Sequence, residues 1–254
     1  MACVATAAPA TAQVPGDAVR AQPSKAGVGS HLLGDLRVSE DPKAGGQSPR
    51  QLFVSVAAGF KGDARARSET CSSQRAAGFD CPGNSKIGTG TANATLVHNG
   101  GAFAPQPLVA DMEIFLAPPQ QSGDVGGVVL QVKERSTGQR ATVTGRLVKL
   151  GAPYGLGLQF ENLDPLTAGA PEGFHIRVER VQTDIGASRT VKKKAYRYVR
   201  RNGKKKRVAY YKKIRYDLVR NPRTCPSGGW PYAVRLVYPN GAESVREASM
   251  ECTS

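Results

Sequence analysis

The 254-residue chain has few of the residues and none of the short motifs that mark familiar enzymes. Histidine occurs three times and tryptophan once, and the sequence contains no G-x-S-x-G, H-E-x-x-H, S-x-x-K or phosphate-binding glycine loop. No run approaches the roughly 18 consecutive apolar residues of a membrane-spanning helix, so no transmembrane segment is expected. Glycine and proline, at 29 and 17 residues, stay below the share typical of disordered low-complexity chains. These absences exclude collagen, coiled coil and wholesale disorder, and they leave a globular protein.

Positive charge is concentrated in a single segment of the chain. Residues 189–223 contain 16 of the 35 Lys and Arg residues and one of the 20 acidic residues, Asp217. The rest of the chain has 19 bases and 19 acids, so the formal net charge of +15 belongs to this segment alone. An electrostatic partner is therefore expected at residues 189–223.

The basic segment is predicted to be a β-hairpin that projects into solvent. The Asn-Gly pair at 202–203 is a two-residue turn signal, which pairs Arg201 with Lys204. Neither face near the turn is apolar, so the core cannot cover it. Five of the eight tyrosines lie here, where their rings can pack under Lys and Arg side chains. The base of the hairpin is expected to be anchored by Val191, Ile214 and Leu218.

The functional interpretation of this hairpin is contact with a polyanion. A cationic strand pair with aromatic rings suits phosphate backbones without selecting a sequence. The predicted contact residues are Lys192, Lys193, Lys194, Arg197, Arg200, Arg201, Lys204, Lys205, Lys206, Arg207, Lys212, Lys213 and Arg215. Anionic cell-wall polymer, acidic polysaccharide and lipid head groups are the expected partners, and nucleic acid is the least expected. The alternative is that the charges only keep strand edges from pairing with other chains.

The start of the chain is open to two interpretations. Residues 1–12 end in the small-residue sequence ATA, which fits a signal-peptidase site, but the stretch before it is short and has no basic region. It is either the remnant of a signal peptide that begins upstream of the first Met, or an Ala-rich disordered leader. Residues 13–30 are predicted to be a linker, and residues 31–254 a single β domain.

The cysteines favour an oxidising compartment. Of Cys3, Cys71, Cys81, Cys225 and Cys252, the first is lost if the leader is removed, which leaves an even number. Four cysteines allow three connectivities, and the pairs Cys71–Cys81 and Cys225–Cys252 are predicted because they close the shortest loops. A structural zinc site is the rival, although the usual closely spaced pairs are absent. The predicted localisation is secreted or cell envelope.

The pattern of apolar residues predicts an all-β protein. Short runs broken by Gly, Pro and Asn indicate a mostly antiparallel sandwich or barrel of eleven or twelve strands. The clearest runs are 51–57, 108–116, 125–135, 139–150, 154–160, 174–183, 232–238 and 243–251. Turn signals at 136–138 and 239–241 join neighbouring strands. One short helix is predicted over residues 68–78, with Cys71 in its first turn and Cys81 just beyond its end.

Candidates for chemistry are weak, and the sequence predicts no catalytic residue, metal site or cofactor. Asp111 and Glu113 are expected on one face of a strand, where a carboxylate pair can serve a glycosidase or hold calcium, but an exposed polar face is the simpler interpretation. Trp230 and Tyr232 can form a sugar-stacking platform or belong to the core. The three histidines are too dispersed to predict a common metal site.

Two cysteine-containing motifs resemble a group of exported actinobacterial all-β proteins. They are CPGNSKIGTGTA at residues 81–92, preceded by Cys71, and NPRTCPSGGWPY at 221–232, followed by Cys252. The similarity covers most of residues 35–252, and its motifs consist of cysteines, turns and glycines. It implies export and paired cysteines, and it carries no activity, catalytic residue or ligand. The basic stretch 192–215 and the short leader depart from the pattern.

Three functions remain as hypotheses from the sequence. The first is an exported, non-catalytic cell-envelope protein that binds an anionic polymer through its basic hairpin. The second is a secreted polysaccharide hydrolase that uses Asp111 and Glu113. The third is a purely structural or interaction domain. The sequence does not specify an oligomeric state.

Overall fold

The computed structural model describes residues 18–38, 46–201 and 204–254. The predicted signal-peptide remnant, residues 1–12, lies outside these ranges. So do residues 13–17 of the predicted linker and the Asn-Gly turn at 202–203.

The all-β prediction is confirmed, although the described residues contain fifteen strands rather than eleven or twelve. The extra strands are mainly short or poor in aliphatic residues. The strands are β1 Ala18–Gln22, β2 Gly29–Arg37, β3 Gln51–Ala57, β4 Lys61–Gly62, β5 Lys86–His98, β6 Gln106–Ala117, β7 Gly126–Glu134, β8 Arg140–Lys149, β9 Tyr154–Phe160, β10 Phe174–Ile185, β11 Ser188–Arg201, β12 Lys204–Asp217, β13 Val219–Arg220, β14 Trp230–Val237 and β15 Glu243–Met250. A helix, α1 Ser73–Ala77, and 3-10 turns at Ala64–Ala66, Gly83–Ser85 and Asp164–Leu166 complete the fold.

Thirteen of the strands form one antiparallel sheet that rolls up on itself, called the rolled sheet below. Its order is β15-β14-β3-β9-β8-β7-β6-β5-β10-β2-β13-β4, with β1 also paired to β2. The roll closes where β1 contacts β15. Just beyond those strands, the carbonyl of Thr253 accepts a hydrogen bond from the Ala26 N–H (2.8 Å), and the Thr253 N–H donates to the Ser24 carbonyl (3.0 Å). The remaining strands, β11 and β12, form a separate two-stranded sheet.

The prediction of a linker over residues 13–30 is wrong from residue 18 onward. Strand β1 pairs antiparallel with β2, and its Val19 and Ala21 are buried in the core. The small apolar residues that suggested a linker suit an edge strand pressed against the opposite edge of the roll. The β domain therefore includes at least residues 18–30, ahead of the predicted boundary at residue 31.

Strand β5 explains part of the glycine-containing motif at residues 81–92. Gly88 and Gly90 lie opposite Ile185 and Thr183 of β10. A Cβ atom at either glycine would overlap a backbone carbonyl of β10, at Asp184 or Gln182. The two strands approach so closely that only glycine fits, which is why the motif lacks the aliphatic alternation expected of a strand.

The interior of the rolled sheet is tightly packed at the end where β13 and β4 cross it. Strand β13 pairs with β2 on one side and with β4 on the other, and β4 contacts β9. The side chains of Phe60, Leu156 and Leu218 are buried beneath this crossing. Phe60 meets the ring of Trp230 edge-on, with the centroids 5.3 Å apart.

The opposite end of the interior is hollow. A cavity of about 450 Å³, called the apolar pocket below, is lined by inward-facing aliphatic side chains of β2, β3 and β5–β10. Leu96, Leu108 and Val178 face it and remain half-exposed. Deeper along β6, Met112 and Ile114 are buried and form part of its floor. The roll therefore has one packed end and one open end.

Helix α1 and the first disulfide cover the outer face of β6 and β7. Cys71 and Cys81 are bonded, as predicted, and pack with Phe115 and Val129. The helix is shorter than predicted, because the side chain of Ser72 caps it and Cys71 therefore lies before its first turn rather than in it.

The second disulfide lies beside the seam of the rolled sheet. Cys225, in the loop before β14, is bonded to Cys252, which follows β15 and adjoins Thr253. Both predicted pairings are thus confirmed, and the zinc alternative is wrong because all four sulfur atoms are in disulfides. The hairpin predicted at 239–241 is confirmed as the link between β14 and β15.

The turn between β7 and β8 depends on the carboxylate of Glu134. It accepts hydrogen bonds from the backbone N–H groups of Ser136 (3.0 Å) and Thr137 (2.5 Å). These bonds lower the pKa of Glu134 from its usual 4.5 to about 2. The deprotonated carboxylate therefore stabilises the folded state at neutral pH.

We expect Glu134→Gln to lower the free energy of unfolding by about 1 kcal/mol at pH 7. The pKa of Glu134 is lowered in the folded state, so its contribution should be complete above about pH 5 and lost as pH falls from 4.5 towards 2. Urea unfolding of both proteins across this range tests this. Glu172→Gln, at an exposed loop position, is the control. A stability difference that stays constant down to pH 2 would contradict the assignment.

Candidate functional site

The basic segment forms the predicted hairpin with the predicted register. Arg201 lies opposite Lys204, and each pair outward from the turn follows in order to Ser188 opposite Asp217. Fourteen residues per strand give a ladder roughly 45 Å long at about 3.4 Å per residue. The hairpin belongs to neither edge of the rolled sheet and is paired only with itself.

The boundary predicted for the hairpin, residues 189–223, extends too far at its C-terminal end. Strand β12 ends at Asp217, and β13 already belongs to the rolled sheet. The predicted anchor Leu218 is buried, while Val191 and Ile214 are half-buried and lie opposite each other near the base. The apolar pair therefore marks where the hairpin leaves the body.

Basic side chains occupy both faces of the hairpin. By strand alternation, Lys193 and Lys212 share one face, and Lys192 and Lys213 share the other. From Lys204 to Lys213, every side chain of β12 is exposed. Within the described residues, Arg215 is the one predicted contact residue that forms an ion pair with a carboxylate. Apart from the pair of Arg215 and Asp217 at the base, the described charges of the hairpin are therefore presented to solvent without a carboxylate partner.

Four tyrosines of the hairpin are exposed among these charges. Tyr198 and Tyr211 expose 73% and 69% of their surface, and Tyr196 and Tyr210 expose 49% and 40%. The guanidinium of Arg207 lies 3.8 Å from the ring centroid of Tyr196. This stacking holds one cation against the ring. The surface offers both charged groups and flat rings to a ligand.

The base of the hairpin is fixed by one buried acid, Asp217, to which the sequence analysis assigned no role. Asp217 is 6% exposed. Its carboxylate accepts hydrogen bonds from Arg215 Nε (2.7 Å) and Arg220 Nη2 (2.9 Å). The fifth tyrosine, Tyr216, packs under the guanidinium of Arg65 at 4.5 Å. A lone acid in a basic run was a signal that could have revealed this anchor.

The two acidic residues considered for catalysis are both paired with bases. Asp111 accepts a hydrogen bond from Arg135 Nη2 at 2.6 Å, and Glu113 accepts one from Lys86. The Arg135 guanidinium lowers the pKa of Asp111, which opposes the protonated state that a general acid needs. Both carboxylates are solvent-exposed, so the geometry gives the hydrolase interpretation no support.

The other candidate residues have structural environments. Trp230 and Tyr232 are buried, at 1% and 4% exposure, so the sugar-stacking platform is wrong and the core interpretation is confirmed. The indole Nε1 of Trp230 donates to the carbonyl of Thr224 at 2.8 Å. Of the histidines, His31 contacts Asp184 and His175 contacts Asn99. His98 lies against two phenylalanine rings.

Comparison of the chain with known protein families, with curated proteins and with solved structures finds no match. The resemblance to exported actinobacterial proteins therefore stays a prediction. In the described part of the chain, no helix has the length and apolar character needed to cross a membrane.

The tight base of the hairpin yields a stability prediction at Gly29. A Cβ atom there would overlap the carboxyl group of Asp217, which two arginines hold in place. We expect Gly29→Ala to lower the free energy of unfolding by about 1–3 kcal/mol, measured by urea unfolding. Gly151→Ala is the matched control, because nothing lies within 4 Å of a Cβ at that position. Equal stability of the two variants would show that Asp217 is not fixed.

Proposed function

We propose that this is an exported, non-catalytic protein that binds an anionic polymer of the cell envelope through the hairpin of β11 and β12. The observation that carries the proposal is the exposure, on both faces of this hairpin, of a dense set of bases without carboxylate partners. Opposed like charges such as Lys192 and Lys213 weaken the ladder that holds them. A polyanion that lies along the hairpin would relieve that repulsion.

The shape of the hairpin favours an extended polymer over a small anion. The charges of the hairpin form rows on both faces of a ladder roughly 45 Å long, at about 3.4 Å per residue. A flexible chain of phosphate or sulfate groups can contact many of them at once, and the exposed tyrosines can pack against its sugars or glycerol units.

Export is supported by the two disulfides. Paired cysteines are stable in extracellular and envelope compartments and rare in the cytosol. In such a compartment an anionic wall polymer or acidic polysaccharide is the expected partner, and nucleic acid is an outcome to be tested.

Shortening the hairpin tests the location of binding. Replacing residues 192–213 by Asn-Gly removes twelve basic residues. It leaves Val191 opposite Ile214, where the new pair can close a two-residue turn. The body should stay folded, because the removed residues bury little apolar surface. We expect binding to poly(glycerol phosphate) and heparin at low salt to be lost, as measured by surface-immobilised polymer assays.

The outcomes of this replacement are distinct. A folded variant that binds as tightly as the full chain would overturn the proposal and leave edge protection as the role of the charges. A variant that unfolds would show that the hairpin contributes to the core. Preferential binding of the full chain to duplex DNA over both polymers would replace the proposed partner by nucleic acid.

A charge-matched pair of variants tests the electrostatic mechanism. One replaces Lys204, Lys205, Lys206 and Arg207 by Gln, and the other replaces the exposed body residues Lys25, Lys61, Lys133 and Lys149 by Gln. Each removes four charges, but only the hairpin variant should lower the slope of log affinity against log salt. By analogy with nucleic acids, the slope should fall by about 0.7–0.9 for each phosphate that the variant no longer neutralises. Equal effects of the two variants would mean that net charge alone governs binding.

A further inference from the structure

The apolar pocket opens at the end of the rolled sheet away from the hairpin. Strand β10 lines the open end of the pocket with Ile176 and Val178 and its deeper part with Thr183 and Ile185, and the hairpin starts at Ser188, beyond the end of β10. At the pocket end, the turn after β7 meets the chain before β10, where Gln139 Nε2 donates to the Gly169 carbonyl. The open end of the pocket and the start of the hairpin therefore lie at opposite ends of β10.

Small side chains create the pocket. Ala92 of β5 lies directly opposite Ala110 of β6, and Ala94 and Ala141 also face the space. Larger residues at the corresponding inward positions would fill it, as Met112 and Ile114 do further along β6. The inward-facing residues of these strands thus change from large to small at the level where the pocket begins.

The walls suit hydrocarbon and do not suit water. At about 30 Å³ for each molecule, a cavity of about 450 Å³ has room for roughly 15 waters, each of which needs two to four polar partners. Several polar groups that line the pocket already have hydrogen-bond partners. Ser48 Oγ donates to the Ile176 carbonyl and accepts from the Val178 N–H, and Glu134 is bound by its own turn. Few polar atoms are left for solvent.

The size corresponds to one ligand of moderate length. The volume is roughly three times that of an engineered apolar cavity of about 150 Å³ that binds benzene, and it lies in the ~300–1,000 Å³ range of small-molecule sites. Phe160 is the one aromatic side chain in the described lining. With a packed floor and no stacking platform, the pocket fits a flexible aliphatic chain better than a flat or sugar-like molecule.

An aromatic cluster extends the apolar surface from the pocket to solvent. His98 and Phe174 lie opposite each other, two residues beyond the lining residues Leu96 and Ile176 on the same strands. Phe103 packs on both rings, with centroids 5.0 Å and 5.9 Å away, and is 60% exposed. An exposed aromatic ring at this end offers a first contact for an apolar chain on its way in.

We infer that the apolar pocket binds the hydrocarbon chain of one lipid-like amphiphile, with the polar head left at the open end. The inference is independent of the proposed function of the hairpin. The chain is selected by fit to aliphatic walls. The head is not selected, because Ser48, Glu134 and Gln139 at the rim are already hydrogen-bonded and the guanidinium of Arg140 lies over the ring of Phe79.

The experiment is titration of the full chain with the fluorescent fatty acid cis-parinaric acid. We expect saturable binding of one molecule per chain, and equal displacement by hexadecanoic acid and 1-hexadecanol, which share a chain and differ in head group. Ala94→Leu/Ala110→Leu, which fills the pocket, should weaken binding at least tenfold. Asn93→Leu adds the same side chain on the exposed outer face of β5 and should change it less than twofold.

The stability of each variant is checked by thermal unfolding, and Ala92→Val replaces the double variant if that one does not fold. Absence of saturable binding by the full chain overturns the inference. Binding that survives both filling variants unchanged also overturns it. Displacement by the acid but not by the alcohol would show that a charged head is recognised and would overturn the claim that the chain alone is selected.

Discussion

The structure depends on closing one long sheet on itself. A single sheet with one apolar face has to shield that face from water. Here the sheet curls until its two edges meet, so that the apolar face lies inside. The seam is held by the hydrogen bonds of Thr253 and by the adjacent disulfide of Cys225 and Cys252. It is supported by Asn221, whose side-chain amide is 2.8 Å from both the Pro23 and Lys25 carbonyls.

A buried polar cluster holds the segment that reaches the seam. Asn221 is 2% exposed, and its side-chain oxygen accepts a hydrogen bond from Ser30 Oγ. A buried amide is costly unless its donors and acceptor are satisfied, and here all of them find partners, on β2 and on the segment after β1 that reaches the seam. Replacing a partner would leave the amide unsatisfied, so the polar cluster favours one closed arrangement over alternatives.

Sequence alone was sufficient for the parts of the fold that follow local rules. The alternation in residues 51–57 and 154–160 matches β3 and β9 residue for residue, and the Asn-Gly pair at 202–203 gave the register of the entire hairpin. These features depend on side-chain alternation and turn chemistry, which act between near neighbours in the sequence. The disulfide pairing was also accessible, because the shortest loops proved to be the bonded ones.

What sequence could not show depends on contacts between distant segments. Strand β1 buries only Val19 and Ala21, whose burial requires the far edge of the sheet, and the need for glycine at Gly88 and Gly90 is evident only once β10 lies beside them. The apolar pocket is an extreme case. Alanines on a strand do not predict a cavity by themselves, because a cavity forms only where the opposing walls are too far apart for the side chains to fill the space between them. The charge of the hairpin was evident from the sequence. The role of Asp217 as its anchor was not, because that role depends on the close packing of the Asp217 carboxyl against Gly29.

The attachment of the hairpin has an electrostatic consequence. Both of its strands leave the body through buried residues, Ala187 and Leu218, which are joined by a backbone hydrogen bond of 2.8 Å. The hairpin therefore behaves as an arm clamped at one end, with its tip roughly 45 Å away at about 3.4 Å per residue. At physiological ionic strength the screening length is about 8 Å, so the tip is several screening lengths from the body's carboxylates. A polymer approaching the tip would experience an isolated cationic rod and would be held at a distance from the neutral body.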